Sequence, residues 1–410
     1  MKILFVHQTL GQFGGAETNI QLVAELLGRR GCDLDLLYDR GTGRNEAVWQ
    51  KLFGGTFRIP DAHPDRFVRE LLGNGGYDLI YLHNLGDLEA IEALVESNLP
   101  VVRMVHDHSL YCMRSYKYNY LTRKICTRPA SGYCVVPCLA SIGRRPGAGF
   151  PLRWVSYRRK RKEIELSKRC RQLVVYSEYQ KNELVRNGFE PANIEICAPI
   201  VGVTQVALPA VSGERNLLLY VGQIIRGKGV DRLLSALARI RTDFECVILG
   251  DGNHRPACER LCRELGLDKR VTFGGYWPPS ELESYYRESS VFVMSSLWPE
   301  PFGMAGPEAM RHGIPVVAFD AGGIREWLID GENGYLVPWN DVERFASRVE
   351  ELLRDKPRAR QLGRRAQERI RRYDAEGQVE ILWRLFERIV HRDSSGTPPR
   401  DAPQENAVCL

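Results

Sequence analysis

The sequence predicts an α/β protein made of two doubly wound halves. An apolar run at residues 2–6 ends in Gly11-Gln12-Phe13-Gly14-Gly15, and Ile20, Leu22, Val23, Leu26 and Leu27 follow at helical spacing. The same construction restarts at Leu217–Val221, with residues 222–229 as its glycine loop and Leu233, Leu234, Leu237 and Ile240 as its helical stripe. The chain has 410 residues, 44% hydrophobic and 26% charged, enough for two such cores and average for a folded globular protein.

Each half reads as a series of short apolar strands separated by helical stretches. In the first half the strands are predicted at 2–6, 34–38, 79–83, 101–105 and 173–176. In the second they are predicted at 217–221, 246–249, 271–273, 291–294 and 316–319. The first domain is taken as residues 1–198, with a basic, cysteine-bearing insert at about 108–150, and the linker as 199–214, where Pro199, Pro209, Ser212 and Gly213 cluster. The second domain is taken as 215–372, and a helix over 373–391 is expected to pack back onto one of the domains. Residues 392–410, with three prolines and few apolar side chains, are expected to be disordered. No run approaches the length of a membrane span, and His7 and Gln8 end the first apolar run too early for a signal peptide. The expectation is a cytoplasmic protein whose eleven cysteines are reduced thiols or ligands.

Neither glycine loop is G-x-G-x-x-G, so the dinucleotide fingerprint is absent. The second loop nears a phosphate-binding loop of the Gly-x4-Gly-Lys type, but Gly229 occupies the position of its hydroxyl residue. What survives is a set of backbone N–H groups and Lys228 that can face a phosphate. The stretch Glu300-Pro301-Phe302-Gly303-Met304-Ala305-Gly306-Pro307-Glu308-Ala309-Met310 places two carboxylates eight positions apart around a glycine-bearing loop. Pro307 suits the first position of a helix, which puts Glu308 in the first turn, and Gly303 and Gly306 permit close approach of backbone to a ligand. Asp33-Leu34-Asp35 is formally D-x-D, but it begins a buried strand and reads as structural.

On these residues the chain resembles retaining glycosyltransferases of family 4, which have the GT-B fold of two Rossmann-like domains facing a central cleft. The similar elements are Gly14-Gly15-Ala16-Glu17, His106-Asp107, the 222–229 loop, Gly250-Asp251-Gly252, Glu300 to Met310, residues 322–326 and residues 330–334. The resemblance implies transfer of a sugar from a nucleotide diphosphate sugar to an acceptor hydroxyl, in cell-surface polysaccharide, lipopolysaccharide or glycolipid synthesis. It implies that Glu308 binds ribose hydroxyls, and that Glu300 lies by the donor sugar with the amides of Phe302, Gly303 and Met304. Lys228 would neutralise the diphosphate, the Gly15 amide would approach it, and His106 would sit across the cleft. The catalytic set implied is Glu300, His106 and Lys228, with no metal and no cofactor. Gln223 stands where the family commonly has arginine, and Arg226 is the alternative phosphate contact. A GT-B-fold nucleotide-sugar epimerase and a non-catalytic sugar-nucleotide-binding protein are the rival readings.

Two features fall outside that resemblance. Between Arg103 and Arg171 there are 17 Lys and Arg against three acids, while the whole chain is only +6. Tyr111, Tyr116, Tyr118, Tyr120, Phe150, Trp154 and Tyr157 are interleaved with them, and the run 158–162 is wholly basic. An anionic membrane surface is the expected partner, with the protein peripheral on the inner face and the acceptor lipid-linked or a growing glycan. Nucleic acid is not expected, since no binding module is evident. Cys112, Cys126, Cys134 and Cys138 fall within the insert, and four such thiolates can bind zinc or an iron–sulfur cluster; buried or inert thiols are the alternative.

Overall fold

The structure is a computed structural model, and it describes residues 1–11, 14–119, 121–144, 152–202, 215–278 and 281–395. In chain order the first half begins β1 (Lys2–Leu10), α1 (Gly15–Arg29), β2 (Asp33–Gly41), α2 (Glu46–Leu52), β3 (Gly55–Arg58), α3 (Pro64–Gly75), β4 (Leu79–Leu82), α4 (Leu88–Val95) and β5 (Val101–Met104). An insert with the hairpin β6 (Ile142–Arg144) and β7 (Leu152–Trp154) precedes α5 (Tyr157–Lys168), β8 (Gln172–Val175), α6 (Glu178–Arg186) and β9 (Ile194–Ile196). The second half runs β10 (Leu217–Val221), α7 (Val230–Leu237), β11 (Glu245–Leu249), α8 (Arg255–Glu264), β12 (Val271–Gly275), α9 (Glu283–Glu288), β13 (Val291–Met294) and α10 (Ala305–Arg311). It closes with β14 (Val316–Phe319), β15 (Gly334–Val337), α11 (Val342–Arg354), α12 (Lys356–Ile370) and α13 (Ala375–Ser395).

Two parallel sheets result, ordered β3-β2-β1-β4-β5-β8-β9 and β12-β11-β10-β13-β14-β15. In each the first strand is interior, so strand order, though not strand direction, reverses beside β1 in one sheet and beside β10 in the other. Alternate side chains of β1 enter different cores: Ile3 and Phe5 join one cluster, Leu4 and Val6 another. That division explains the unbroken apolar runs, because helices cover both faces of a parallel sheet. Three strands of the main sheets lie outside the sequence prediction. β3 and β9 are short edge strands, and β15 begins within the Asp330 to Gly334 turn.

The last helix returns to the first half. Phe386 meets Tyr81 edge to face with ring centroids 5.1 Å apart, and Arg30 pairs with Glu380 at 2.5 Å. The thiol of Cys197 lies 3.5 Å from the Gln378 carbonyl. This helix continues to Ser395 instead of stopping at 391, since no glycine or proline intervenes before Gly396. The 203–214 part of the expected linker, and residues 396–410 of the expected disordered tail, lie outside the described residues. No described helix is long and apolar enough to cross a membrane.

Phe386 is fully buried in the contact that joins α13 to the first sheet. Phe386→Ala is therefore expected to cost about 3–5 kcal/mol in denaturant unfolding, as for other large-to-small core changes. A loss below about 1 kcal/mol would contradict this docking of the helix.

Candidate active site

In open α/β sheets, ligands bind beyond the carboxyl ends of the strands where strand order reverses. In the second half that place lies between β10 and β13. The loop after β10 turns through Arg226–Lys228 into α7, and Gly229 forms the corner with φ 68°. A Cβ at Gly229 would stand 2.1 Å from the Ser295 carbonyl oxygen, so the turn requires glycine there. Amides of Leu297 and Trp298 donate to the Gly227 carbonyl at 2.8 and 2.9 Å, and Ser295 Oγ donates to the Lys228 carbonyl at 3.0 Å. The two loops form one unit.

That unit brings Lys228 and Glu300 together, Nζ to Oε1 at 2.7 Å. Trp298 Nε1 donates to the same oxygen at 2.7 Å, and Ser296 Oγ donates to it as well. Lys228 Nζ also lies 4.6 Å from the centre of the Trp298 ring. Glu300 is only 4% exposed, and a carboxylate this buried requires such compensation. Its backbone is fixed too, donating to the Ala321 carbonyl at 3.1 Å and accepting from the Gly323 amide at 2.7 Å. Gly322 (φ 70°) lets the strands meet, since a Cβ there would stand 2.5 Å from the Glu300 carbonyl oxygen.

Amides of Phe302, Gly303 and Met304 make no hydrogen bond among the described residues. The helix that follows starts at Ala305, so Pro307 occupies its third position and not its first. Nothing is lost, because the first four helical N–H groups have no intrahelical partner. Glu308 remains in the first turn, half-buried, where Oε2 accepts from Tyr286 OH at 3.3 Å and burial pushes its carboxyl upward. Gln223 is exposed, and Arg226 is half-buried within the 3-10 turn.

The facing half presents Gly15 at the start of α1, and a Cβ added there would meet no atom within 4 Å. Glu17 ties this loop down, accepting from the Gly14 amide at 2.8 Å while Oε1 lies 3.3 Å from His7 Nε2. His106 sits in a buried chain: its Nε2 is 2.9 Å from His83 Nδ1, and its Nδ1 is 2.6 Å from Tyr176 OH. Burial holds the His106 imidazole down at about 3, and burial lowers His83 strongly as well. His106 is therefore neutral at any ordinary pH, a hydrogen-bonding group and not a cation.

The sequence did not single out Trp298, Ser296, Tyr286, His83 or Ser177. A tryptophan two places before Glu300 was the one local signal available. Cys134 has Cys112, Cys138 and Cys126 as electrostatic neighbours, and burial raises its thiol. Among the described residues, no group of three or more His, Cys, Asp or Glu side chains is arranged to hold a metal ion.

The buried histidines have a measurable consequence. His106 titrates near 3 when folded and near 6.5 when unfolded, so the unfolded chain binds a proton that the native one refuses. Its contribution is fully present above about pH 6.5 and is lost as pH falls toward 3, at up to about 1.4 kcal/mol per pH unit. Unfolding free energy measured from pH 7 to 4.5 should fall less steeply in His106→Gln than in the parent. Parallel curves would contradict a neutral buried His106.

Comparison with known proteins places both halves. Residues 13–201 match the family model described as Glycosyltransferase Family 4, and residues 208–369 match Glycosyl transferases group 1. The D-inositol 3-phosphate glycosyltransferase of Corynebacterium kroppenstedtii is 30% identical over 243 residues, 54% of each chain. A GDP-mannose-dependent alpha-(1-6)-phosphatidylinositol monomannoside mannosyltransferase of Mycolicibacterium smegmatis is 31% identical over 160 residues, 37% of this chain and 42% of that one. Matches to such curated relatives span 37–54% of the relatives' own lengths. The crystal structure of Anabaena HepE in complex with UDP superposes with TM-score 0.72 and 18% identity over 95% of this chain and 100% of that one. This likeness shows the fold, two Rossmann-like domains in the GT-B arrangement. Glycosyltransferase family models thus match both halves of the chain, Glycosyltransferase Family 4 across the first and Glycosyl transferases group 1 across the second.

Proposed function

We propose that this protein is a retaining glycosyltransferase, which moves a sugar from a nucleoside diphosphate sugar to an acceptor hydroxyl. The observation that carries the reading is the Lys228–Glu300 pair beside the unbonded amides of Phe302, Gly303 and Met304. Loss of a nucleoside diphosphate builds negative charge on phosphate oxygen, which a lysine and fixed amides stabilise. An arriving diphosphate competes with Glu300 for Lys228, and Glu300 keeps the Trp298 and Ser296 donors when the lysine turns away. Glu300 Oε2, which makes no hydrogen bond among the described residues, is then available to sugar hydroxyls. Glu308 takes the ribose hydroxyls, and the open approach at Gly15 admits the diphosphate from the other side. Both ring nitrogens of His106 are engaged, by His83 and Tyr176, so His106 lines the sugar side of the cleft as a neutral ring and does not hydrogen-bond the sugar. The departing phosphate oxygen takes the acceptor proton as the new glycosidic bond forms on the same face.

The acceptor is proposed to lie at a membrane surface, as a lipid-linked sugar or a growing glycan. Trp154 is 74% exposed and Ile142, its cross-strand partner in the β6–β7 hairpin, 44%. Val136 and Leu139 are exposed nearby in sequence. The basic run that follows is only partly free. Arg159 donates to the Gly86 carbonyl, Lys160 bonds Ser109 and Glu163, and Lys162 pairs with Glu92. Arg158 and Arg161 are exposed and lack a partner among the described residues. The mannosyltransferase relative named above acts on a phosphatidylinositol mannoside, an acceptor of this kind.

Incubation with a panel of labelled nucleoside diphosphate sugars should release nucleoside diphosphate and form a glycoside of unchanged anomeric configuration. Lys228→Ala should lower kcat/KM about 10²- to 10³-fold, and Glu308→Gln should weaken donor binding by about 1.5–3 kcal/mol. Glu300→Ala should reduce turnover more than nucleoside diphosphate affinity. Parent kinetics in all three would remove the assignment. Donor binding with no release of nucleoside diphosphate would favour a binding protein, and a changed sugar on the nucleotide would favour epimerisation.

Membrane attachment is tested separately by sedimentation with vesicles. Anionic vesicles should retain the protein at low salt and release it in about 0.5 M salt, where charges are screened within about 4 Å. Arg158→Ala/Arg161→Ala/Trp154→Ala should not bind, while its donor hydrolysis persists. Equal binding to neutral vesicles would overturn the electrostatic part of this reading.

A further inference from the structure

Glu300 lies between two prolines, and the carbonyls of both are held from the other half of the molecule. His108 Nε2 is 2.7 Å from the Pro299 carbonyl oxygen, and Ser177 Oγ donates to the Pro301 carbonyl at 2.6 Å. A carbonyl only accepts, so His108 carries its proton on Nε2, and its Nδ1 then accepts from Tyr111 OH at 2.7 Å. His108 and Tyr111 are both almost wholly buried, which fixes the ring.

The same insert reaches the lysine side of the pair. Arg123 grips Asp231 with both nitrogens, Nη1 to Oδ2 at 2.8 Å and Nη2 to Oδ1 at 3.0 Å. Asp231 is in the first turn of α7, directly after the loop that carries Lys228. Tyr118 packs into the core of the second half and accepts from Arg123 Nε at 3.3 Å. Tyr116 lies against the Trp298 ring, with centroids 4.8 Å apart. Every member of the Lys228–Trp298–Glu300 group is thus braced from the first half, by one stretch of the insert and by Ser177.

We propose that His108 and Arg123 are positioning residues that hold the Lys228–Glu300 pair in register from across the cleft. This rests on the reading of Glu300 given above. Neither residue needs to touch substrate. When the halves part, the Pro299 and Pro301 carbonyls lose their donors and the α7 turn loses Arg123. The reacting geometry is then complete only when the halves are together. Misplacement of about 1 Å at a reacting group costs on the order of 10²-fold, so loss of one such brace is felt in turnover.

The test uses the full chain and the donor that the sugar-nucleotide panel identifies, scoring kcat for donor hydrolysis and the affinity of the matching nucleoside diphosphate. His108→Phe keeps a ring and removes the N–H, and should lower kcat about 10- to 100-fold with nucleoside diphosphate affinity changed about twofold or less. His108→Gln supplies an amide N–H and should recover most of the loss, although both variants melt alike. Arg123→Asp should also lower kcat, and the double variant Arg123→Asp/Asp231→Arg should restore it; this pair decides the matter if His108→Phe fails to fold. Equal losses in His108→Phe and His108→Gln, no recovery in the charge swap, or parent kcat in both single variants while Glu300→Ala is inactive would overturn the proposal. Full activity in Glu300→Ala would overturn the reading of Glu300 and this proposal with it.

Discussion

A carboxylate removed from water must be paired, and Glu300 is where this chain meets that requirement. Desolvation of an isolated charge costs several kcal/mol, and at 4% exposure Glu300 is compensated by Lys228, Trp298 and Ser296, which converge on one oxygen. The requirement spreads outward. Lys228 must leave its turn at a fixed angle, which needs the left-handed corner at Gly229. Glu300 must be presented by a rigid backbone, which the single bridge to Gly322 supplies. In the proposed reaction the Lys228 ammonium exchanges this carboxylate for a phosphate, and a pair already ordered without substrate leaves little reorganisation for that step.

The two sheets supply the frame for that pair. Both reverse strand order beside their first strand, so each offers a crevice at its carboxyl edge. One crevice carries the charged pair and the other the buried histidines. The last helix ties the second half back to the first through Phe386 and Glu380, and the insert ties it again at the cleft through His108 and Arg123. These attachments lie at different places on the molecule, and only the second bears directly on the reacting groups.

Much of this was legible in the chain itself, for physical reasons. Strands buried on both faces must be continuously apolar, so β1, β4, β5, β10, β13 and β14 announced themselves. β3 and β9, at sheet edges, carry too few apolar residues to stand out from loops. The loops that carry Lys228, Glu300 and Glu308 were legible because glycines and charges recur at short fixed spacings. His108 and Ser177 were not, since each acts on a carbonyl more than a hundred residues away and local pattern holds no record of such a contact. The basic run at 158–162 misled in part. Its composition reads as one solvated face, yet three of its five residues are spent on contacts to α4, to α5 itself and to the loops around them.

The most direct test is a crystal structure of the protein with the nucleoside diphosphate of its donor. The account predicts Lys228 Nζ transferred from Glu300 Oε1 to a phosphate oxygen, Glu300 still held by Trp298 and Ser296, and Glu308 on the ribose. A diphosphate bound away from the β10–β13 crevice, with the Lys228–Glu300 pair intact, would contradict it.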